Sequence, residues 1–277
     1  MEKEYYYVWL SLIPKLGYVK IKEIMEKNNV ESVDKLYDLD VKHPNMYEKL
    51  VMDITYKIEA EKMYKEITKN KIEIIHIESE NYPSELKDIY SPPVALYAKG
   101  NVDLLKGKKV GMVGSRLASN YGKKVAYNIS KKFVGKDMVV VSGLAKGIDE
   151  YSHIGACEGE EAKTIAVIGT GLDDCYPAGN KYLERRILSK NGLILSEFVL
   201  GIGPKRHHFP MRNRIIAGLS DFLVVVEAKE KSGALITVDM MLESGKEVYA
   251  VPGPIGDDRF AGSNRLIKDG SNVILDI

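Results

Sequence analysis

From Lys106 onward the chain alternates short, wholly apolar, β-branched runs with segments of helical length, and few folds accommodate that pattern. The runs fall at residues 110–113, 138–141, 164–168, 193–195, 222–226, 248–251 and 273–275. Strands that are apolar throughout, rather than at every second residue, are buried on both faces. A strand–helix repeat of this kind predicts an α/β fold: a Rossmann-like, doubly wound, mostly parallel sheet with helices on both sides. With 277 residues, 45% of them hydrophobic, the chain can build that core and a second, smaller unit.

The smaller unit comes first. In residues 1–70, rich in Lys, Glu and Tyr, the positions Leu10, Ile13, Leu16, Ile21, Ile24 and Met25 recur at helical intervals. Pro14 and Gly17 break this pattern. They predict a tight helical hairpin within a small all-helical domain, of helix-hairpin-helix or SAM-like type. Such a hairpin is either a phosphate site built from backbone N–H groups or a plain helical corner, and the sequence leaves both open. Residues 71–105 read as a connecting segment packed on the Rossmann-like domain of residues 106–277. It holds a strand at 72–76, a proline-punctuated stretch around Pro83, Pro92 and Pro93, and an extended piece at 96–100.

Composition narrows the function. Net charge is only +1, so any nucleic-acid site must come from local clustering. Cys157 and Cys175 provide neither a disulfide framework nor metal-ligand spacing. The N-terminus lacks a signal-peptide pattern, and no apolar run approaches the roughly 18 residues of a membrane helix. A cytoplasmic protein with no membrane partner is expected.

One local anomaly stands out. Residues 201–218 contain no acid, yet they hold Lys205, Arg206, His207, His208, Arg212 and Arg214, with Phe209 among them. Phosphate is the natural counter-charge, and Phe209 offers a face for a nucleobase. The competing reading is a solvated basic loop, in which His207 and His208 point opposite ways. Ile215, Ile216 and Ala217 read as a buried helix face.

The first strand runs into Val113-Gly114-Ser115-Arg116, a Gly-rich turn whose N–H groups can approach a phosphate. It lacks the G-x-G-x-x-G of a dinucleotide site. The second strand ends in Val141-Ser142-Gly143, with no carboxylate for a ribose hydroxyl. Arg116 is instead a bidentate donor. The scaffold is expected to bind phosphate but not NAD, which argues against a nicotinamide oxidoreductase.

Further distinctive segments follow later strands: Ser142-Gly143-Leu144-Ala145-Lys146-Gly147-Ile148-Asp149, Gly169-Thr170-Gly171-Leu172-Asp173 with Tyr176-Pro177, Ser196-Glu197, Glu227-Ala228 with Ser232-Gly233-Ala234-Leu235-Ile236-Thr237, and Pro252-Gly253-Pro254. In an open parallel sheet all of them share the carboxyl edge, where ligands bind.

Catalytic candidates are thin. Asp149 and His153 share a helical face but read first as a satisfied structural pair. Ser232 reads as an N-cap, and Cys175 has no activating histidine. There is no P-loop, nucleophile elbow, metal triad or carboxylate dyad, so no catalytic residue, metal or cofactor is expected. The alternative is a nucleotide-processing N-glycosidic hydrolase on a similar scaffold, with Glu197 or Glu227 as its acid. That reading lacks a Pro-Gly-Gly phosphate loop before a Thr and a Glu.

Taken in order, Val113-Gly114-Ser115-Arg116, the Ser142 to Asp149 segment, Gly169 to Asp173, Phe209-Pro210-Met211-Arg212-Asn213-Arg214-Ile215-Ile216-Ala217-Gly218, Ser232 to Thr237 and Pro252-Gly253 resemble the DNA-processing protein A family (DprA, also called Smf). The resemblance covers roughly residues 82–277, while the N-terminal part matches only as a small helical domain. It implies a non-enzymatic protein that binds single-stranded DNA without sequence preference. Such a protein protects incoming strands and helps load the recombinase RecA in natural transformation and homologous recombination, acting as a homodimer. By motif position it implies DNA contacts at Gly114, Ser115, Arg116, Arg206, Phe209, Arg212, Asn213 and Arg214, with backbone donors from Ser232 and Gly233. Many members carry a C-terminal winged-helix domain, and none is expected in this sequence.

Overall fold

The apolar runs pair into one nine-stranded sheet. Its strands are β1 (Glu73–His76), β2 (Ala95–Gly100), β3 (Lys109–Val113), β4 (Val139–Ser142), β5 (Thr164–Ile168), β6 (Leu193–Ser196), β7 (Phe222–Val225), β8 (Glu247–Ala250) and β9 (Asn272–Val273). The computed structural model describes residues 2–275. Spatial order is β1-β2-β6-β5-β4-β3-β7-β8-β9. From β6 to β9 all neighbours are parallel, while β1–β2 and β2–β6 are antiparallel. The segment around residues 71–105 thus supplies the edge strand β1 and its inner neighbour β2. The last strand covers Asn272–Val273, slightly before the expected 273–275.

Five helices precede the sheet: α1 (Lys3–Leu12), α2 (Tyr18–Lys27), α3 (Val33–Tyr37), α4 (Met46–Met52) and α5 (Ile54–Lys69). Six more accompany the parallel strands: α6 (Asn120–Gly135), α7 (Ile148–Ala156), α8 (Lys181–Ser189), α9 (His208–Leu219), α10 (Gly233–Glu243) and α11 (Ala261–Lys268). Parallel pairing requires such crossovers, because a hairpin cannot join parallel strands.

Strand numbers climb from β3 to β6 in one direction and from β7 to β9 in the other. The reversal falls between β3 and β7. Loops leaving these two strands at their carboxyl ends turn to opposite sides and leave a crevice between them. That topology, more than any single residue, sets the position of the site.

One core lies between the sheet and α6–α7, built from Val110, Met112, Ala126, Ile129, Val140, Ile148 and Val224. The larger core covers the opposite face and runs on into the helical region: Trp9, Leu10, Ile75, Leu96 and Tyr97 belong to one buried cluster. Across that junction the Tyr7 ring stacks on His76, with centroids 4.3 Å apart.

Within the helical region, the buried Glu48 ties the end of α2 to the start of its own helix, α4. Its carboxylate accepts from Lys27 Nζ at 2.8 Å, Asn28 Nδ2 at 2.9 Å and the Asn45 N–H at 2.7 Å. The Lys27 ammonium, then Asn28 and the Asn45 amide, hold its pKa down to about 2. A depressed carboxylate stabilises the fold above its unfolded pKa and loses that contribution as pH falls through the folded value. Glu48→Gln is therefore expected to melt below wild type at pH 7. The gap should narrow between the ordinary value of 4.5 and about 2. A gap independent of pH in thermal melts would refute the electrostatic account.

Candidate nucleic-acid interface

Loops from the carboxyl ends of β3, β4, β5, β6 and β7 enclose a cleft of about 560 Å³. Gly114 and Arg116 enter from β3, Ala145 and Asp149 from β4, and Tyr176 from β5. The segment after β6 brings Arg206, Phe209, Arg212 and Asn213, and that after β7 brings Ser232 and Gly233.

Backbone bonds fix the β3 loop. The Ser115 N–H donates to the Glu227 carbonyl at 2.7 Å, and Ser115 Oγ accepts from the Leu117 N–H at 3.1 Å. The loop after β4 lies directly against it. Gly147 there has φ +79°, and a Cβ would stand 2.3 Å from the Ser115 carbonyl oxygen, so only glycine fits. Ser115 shapes the turn but does not line the cleft. The turn leaves Arg116 exposed, with its guanidinium carbon 5.0 Å from the centroid of the half-buried Phe209 ring. Tyr176 continues this surface, its ring 5.5 Å from Phe209. A cation above one aromatic ring beside another is a platform for stacking a base next to a phosphate.

The basic stretch is helical from His208 onward, and residues 201–207, with Lys205 and Arg206, form the loop and turn that lead into the helix. His207 is the N-cap of α9 and Pro210 sits in the first turn, where its missing N–H costs no helical bond. His208 is buried; its Nδ1 lies 3.1 Å from the Gly169 carbonyl and its ring stacks on Phe198 at 4.2 Å. Burial pushes its pKa down. Helical spacing turns Phe209, Arg212, Asn213 and Ile216 toward the cleft.

Arg214 does not join them. It leaves the helix on another side and pairs with Glu197, both side chains largely buried. Neither of the two arginines singled out in the sequence is exposed. Arg212 is 4% exposed. Its Nη1 donates to the Gly143 and Val167 carbonyls, and its Nε to Asn213 Oδ1 at 3.2 Å. A Cβ at residue 143 would stand 2.1 Å from Nη1, so Gly143 makes the space for this guanidinium. Burial lowers the Arg212 pKa to about 10, against the opposing pull of Asp149; it stays charged at neutral pH. Burial pushes the Asp149 carboxyl up, and Arg212 and then Arg116 hold it back. Among the described residues Arg212 and Asp149 make no direct ion pair; each favours the other's charged form across the floor of the cleft.

The other acid and base candidates are engaged elsewhere. His153 Nδ1 bonds Thr164 Oγ1 at 2.8 Å, and burial drives its pKa down to about 3, so it is no acid–base partner for Asp149. Glu227 is fully buried and holds Ser119, the N-cap of α6, its carboxylate accepting from Ser119 N–H at 3.0 Å and Ser119 Oγ–H at 2.6 Å. Neither Glu197 nor Glu227 lines the cleft. Ser232 caps α10, accepting from the Ala234 N–H at 3.3 Å. Sequence reasoning assigned no role to Tyr176. The signal was available: an aromatic residue on a carboxyl-edge loop, like Phe209. Among the described residues, no group of three or more His, Cys, Asp or Glu is placed to hold a metal ion, and no helix is long and apolar enough to cross a membrane.

Fold and cleft together define a Rossmann-like α/β protein with a basic, aromatic-floored cleft at the switch point of its sheet. The family model for "DNA recombination-mediator protein A" matches residues 73–277. The chain belongs to this family, the DNA-processing protein A (DprA/Smf) family. It is 46% identical over 204 residues to the DNA processing protein DprA of Bacillus subtilis, covering 73% of this chain and 68% of that protein. To its Streptococcus pneumoniae counterpart it is 48% identical over 195 residues, or 70% and 67% of the two chains. The X-ray structure of the S. pneumoniae protein superposes with a TM-score of 0.83 at 38% identity, over 99% of this chain and 95% of that one. A Helicobacter pylori DNA processing protein A, described for its single-stranded DNA binding mode, superposes with a TM-score of 0.67 at 28% identity, over 74% and 92%.

Proposed function

We propose that this protein is a non-catalytic, sequence-independent single-stranded DNA binding protein. It protects incoming strands and, as a cytoplasmic homodimer, helps load the recombinase RecA during transformation and homologous recombination. The observation that carries this reading is the Arg116–Phe209–Tyr176 surface. It offers a phosphate ligand and two stacking faces, and stacking accepts any base because every base has a π-face. Family membership supports it, as does the single-stranded DNA binding described for the H. pylori relative. Among the described residues Asp149 is the one carboxylate lining the cleft, and it is buried. The N-glycosidic alternative would need a free acid there, and incubation with nucleoside monophosphates is expected to release no base.

Fluorescence anisotropy with a labelled oligothymidylate and its duplex, at two salt concentrations, tests the reading. Single strands should bind better than duplex. The two exposed cleft arginines, Arg116 and Arg206, set a log–log salt slope of about −1.4 from the cleft alone, so binding should weaken about sevenfold between ~50 and ~200 mM salt. Equal affinity for duplex, or no salt dependence, would sink it. Loading of the recombinase is read separately, as faster RecA filament assembly on single strands covered by a single-strand binding protein.

A further inference from the structure

Helix α6 carries a charge anomaly that the cleft does not use. Residues 120–136 contain Lys123, Lys124, Lys131, Lys132 and Lys136 and no acid. Lys124, Lys131, Lys132 and Lys136 are exposed. Among the described residues none of the five lies in an ion pair. The nearby acids are already engaged: Asp137 pairs with Lys163, and Glu158 with Arg186 at 3.0 Å. Lys123 closes the first turn and Lys124 follows it, near the helix end where the dipole disfavours cations. The carboxylate that answers the dipole there is Glu227, fully buried and bonded to Ser119, so it cannot serve the lysine side chains. In a chain of net charge +1, this surface is a local excess whose counter-charge must come from outside.

Its position indicates the occupant. α6 begins four residues after Arg116, at the carboxyl edge of β3, beside the mouth of the cleft. Its 16 residues then run about 24 Å back along the face of the sheet. Lys124 and Lys131 are seven apart and share a stripe, with Lys132 next to it.

We propose that this lysine face is a second phosphate-binding surface, which takes the single strand as it leaves the cleft past Arg116. The proposal rests on the reading of the cleft given above. The cleft holds bases and backbone of a few nucleotides; α6 holds backbone alone and lengthens the footprint without adding selectivity.

The test compares wild type, Lys124→Ala/Lys131→Ala/Lys132→Ala and Arg116→Ala, each binding an oligothymidylate of about 6 nucleotides and one of about 30, chosen to bracket common single-strand site sizes. The triple variant should bind the short strand as wild type does. It should lose about 2 units of log–log salt slope on the long strand, hence about 100-fold in affinity at ~0.1 M salt relative to a 1 M reference. Arg116→Ala should weaken both lengths. Unchanged long-strand binding in the triple variant overturns the proposal, as does an equal loss on both lengths. So does a loss confined to duplex DNA or to an acidic protein partner. Failure of the cleft reading looks different: wild type itself would not bind the short strand. The substituted side chains are exposed, and an unchanged melting temperature confirms that the variant folds.

Discussion

Phe209→Ala is expected to weaken binding of single-stranded DNA about 5- to 150-fold with no change in its salt dependence. The range is the 1–3 kcal/mol that stacking contributes per base, expressed as an equilibrium ratio. Phe209 is half-buried, its ring lies between Arg116 and Tyr176, and it has no charge to exchange for counterions. Arg116→Ala should behave differently, because it removes one phosphate ligand. The log–log salt slope should shrink by about 0.7, and the loss should fade at high salt. Salt-resolved anisotropy on the two variants separates a stacking wall from a charge site. Wild-type affinity in Phe209→Ala would remove the aromatic floor from the mechanism; a salt slope altered by that variant would show that the ring acts mainly by positioning Arg116.

Arg212→Ala is expected to fail as a protein before it fails as a DNA ligand. Leaving a buried acceptor without its donor costs about 1–3 kcal/mol, and Arg212 serves two of them. Here Asp149 would stay buried without its counter-charge, and the carbonyls of Gly143 and Val167 would lose their donor. At about 2–4 °C per kcal/mol for a chain of this size class, the melting temperature should fall by about 10 °C. Lysine should not rescue it, since a single ammonium cannot reproduce the guanidinium fork. The sign of the pH effect follows from Asp149. Its pKa is already raised by burial, so its ionised form is the one that opposes folding, and protonation at lower pH relieves the cost. The deficit of Arg212→Ala should therefore shrink on acidification, and adding Asp149→Asn should recover part of the melting temperature at pH 7. A stable Arg212→Ala protein with impaired binding would mean that this arginine reaches DNA directly. Without the melting curve, weak binding by this variant says nothing about contact.

The parallel strands were legible because burial on both faces leaves an unbroken apolar run; that holds for β3 to β6 and lapses at the sheet edge, where Asn272 and Val273 are exposed. The carboxyl-edge placement of Gly114, Arg116, Phe209 and Ser232 followed from the strand–helix alternation alone, since every such loop must emerge on one side. Arg212 and Arg214 show where that reasoning ends. Two residues apart in an acid-free stretch, they look equivalent. A helix separates them by more than half a turn, and packing then sends one beneath the cleft and the other to Glu197. Glu227 was open to reading as a catalytic acid until its carboxylate was found bonded to Ser119, more than 100 residues away in sequence.

Local patterns thus determined the element types, the layered α/β class, the edge where a ligand binds and the family signature. These depend on periodicity and on turn chemistry within a few residues. Only the tertiary structure decided the strand order with its reversal between β3 and β7, the partner of each charged side chain, and the stacking of Arg116, Phe209 and Tyr176 into one surface. Each of those depends on contacts between residues distant in the chain. A side chain's charge is written in the sequence, but whether that charge faces solvent, a buried carbonyl or a counter-ion is set by what folds against it.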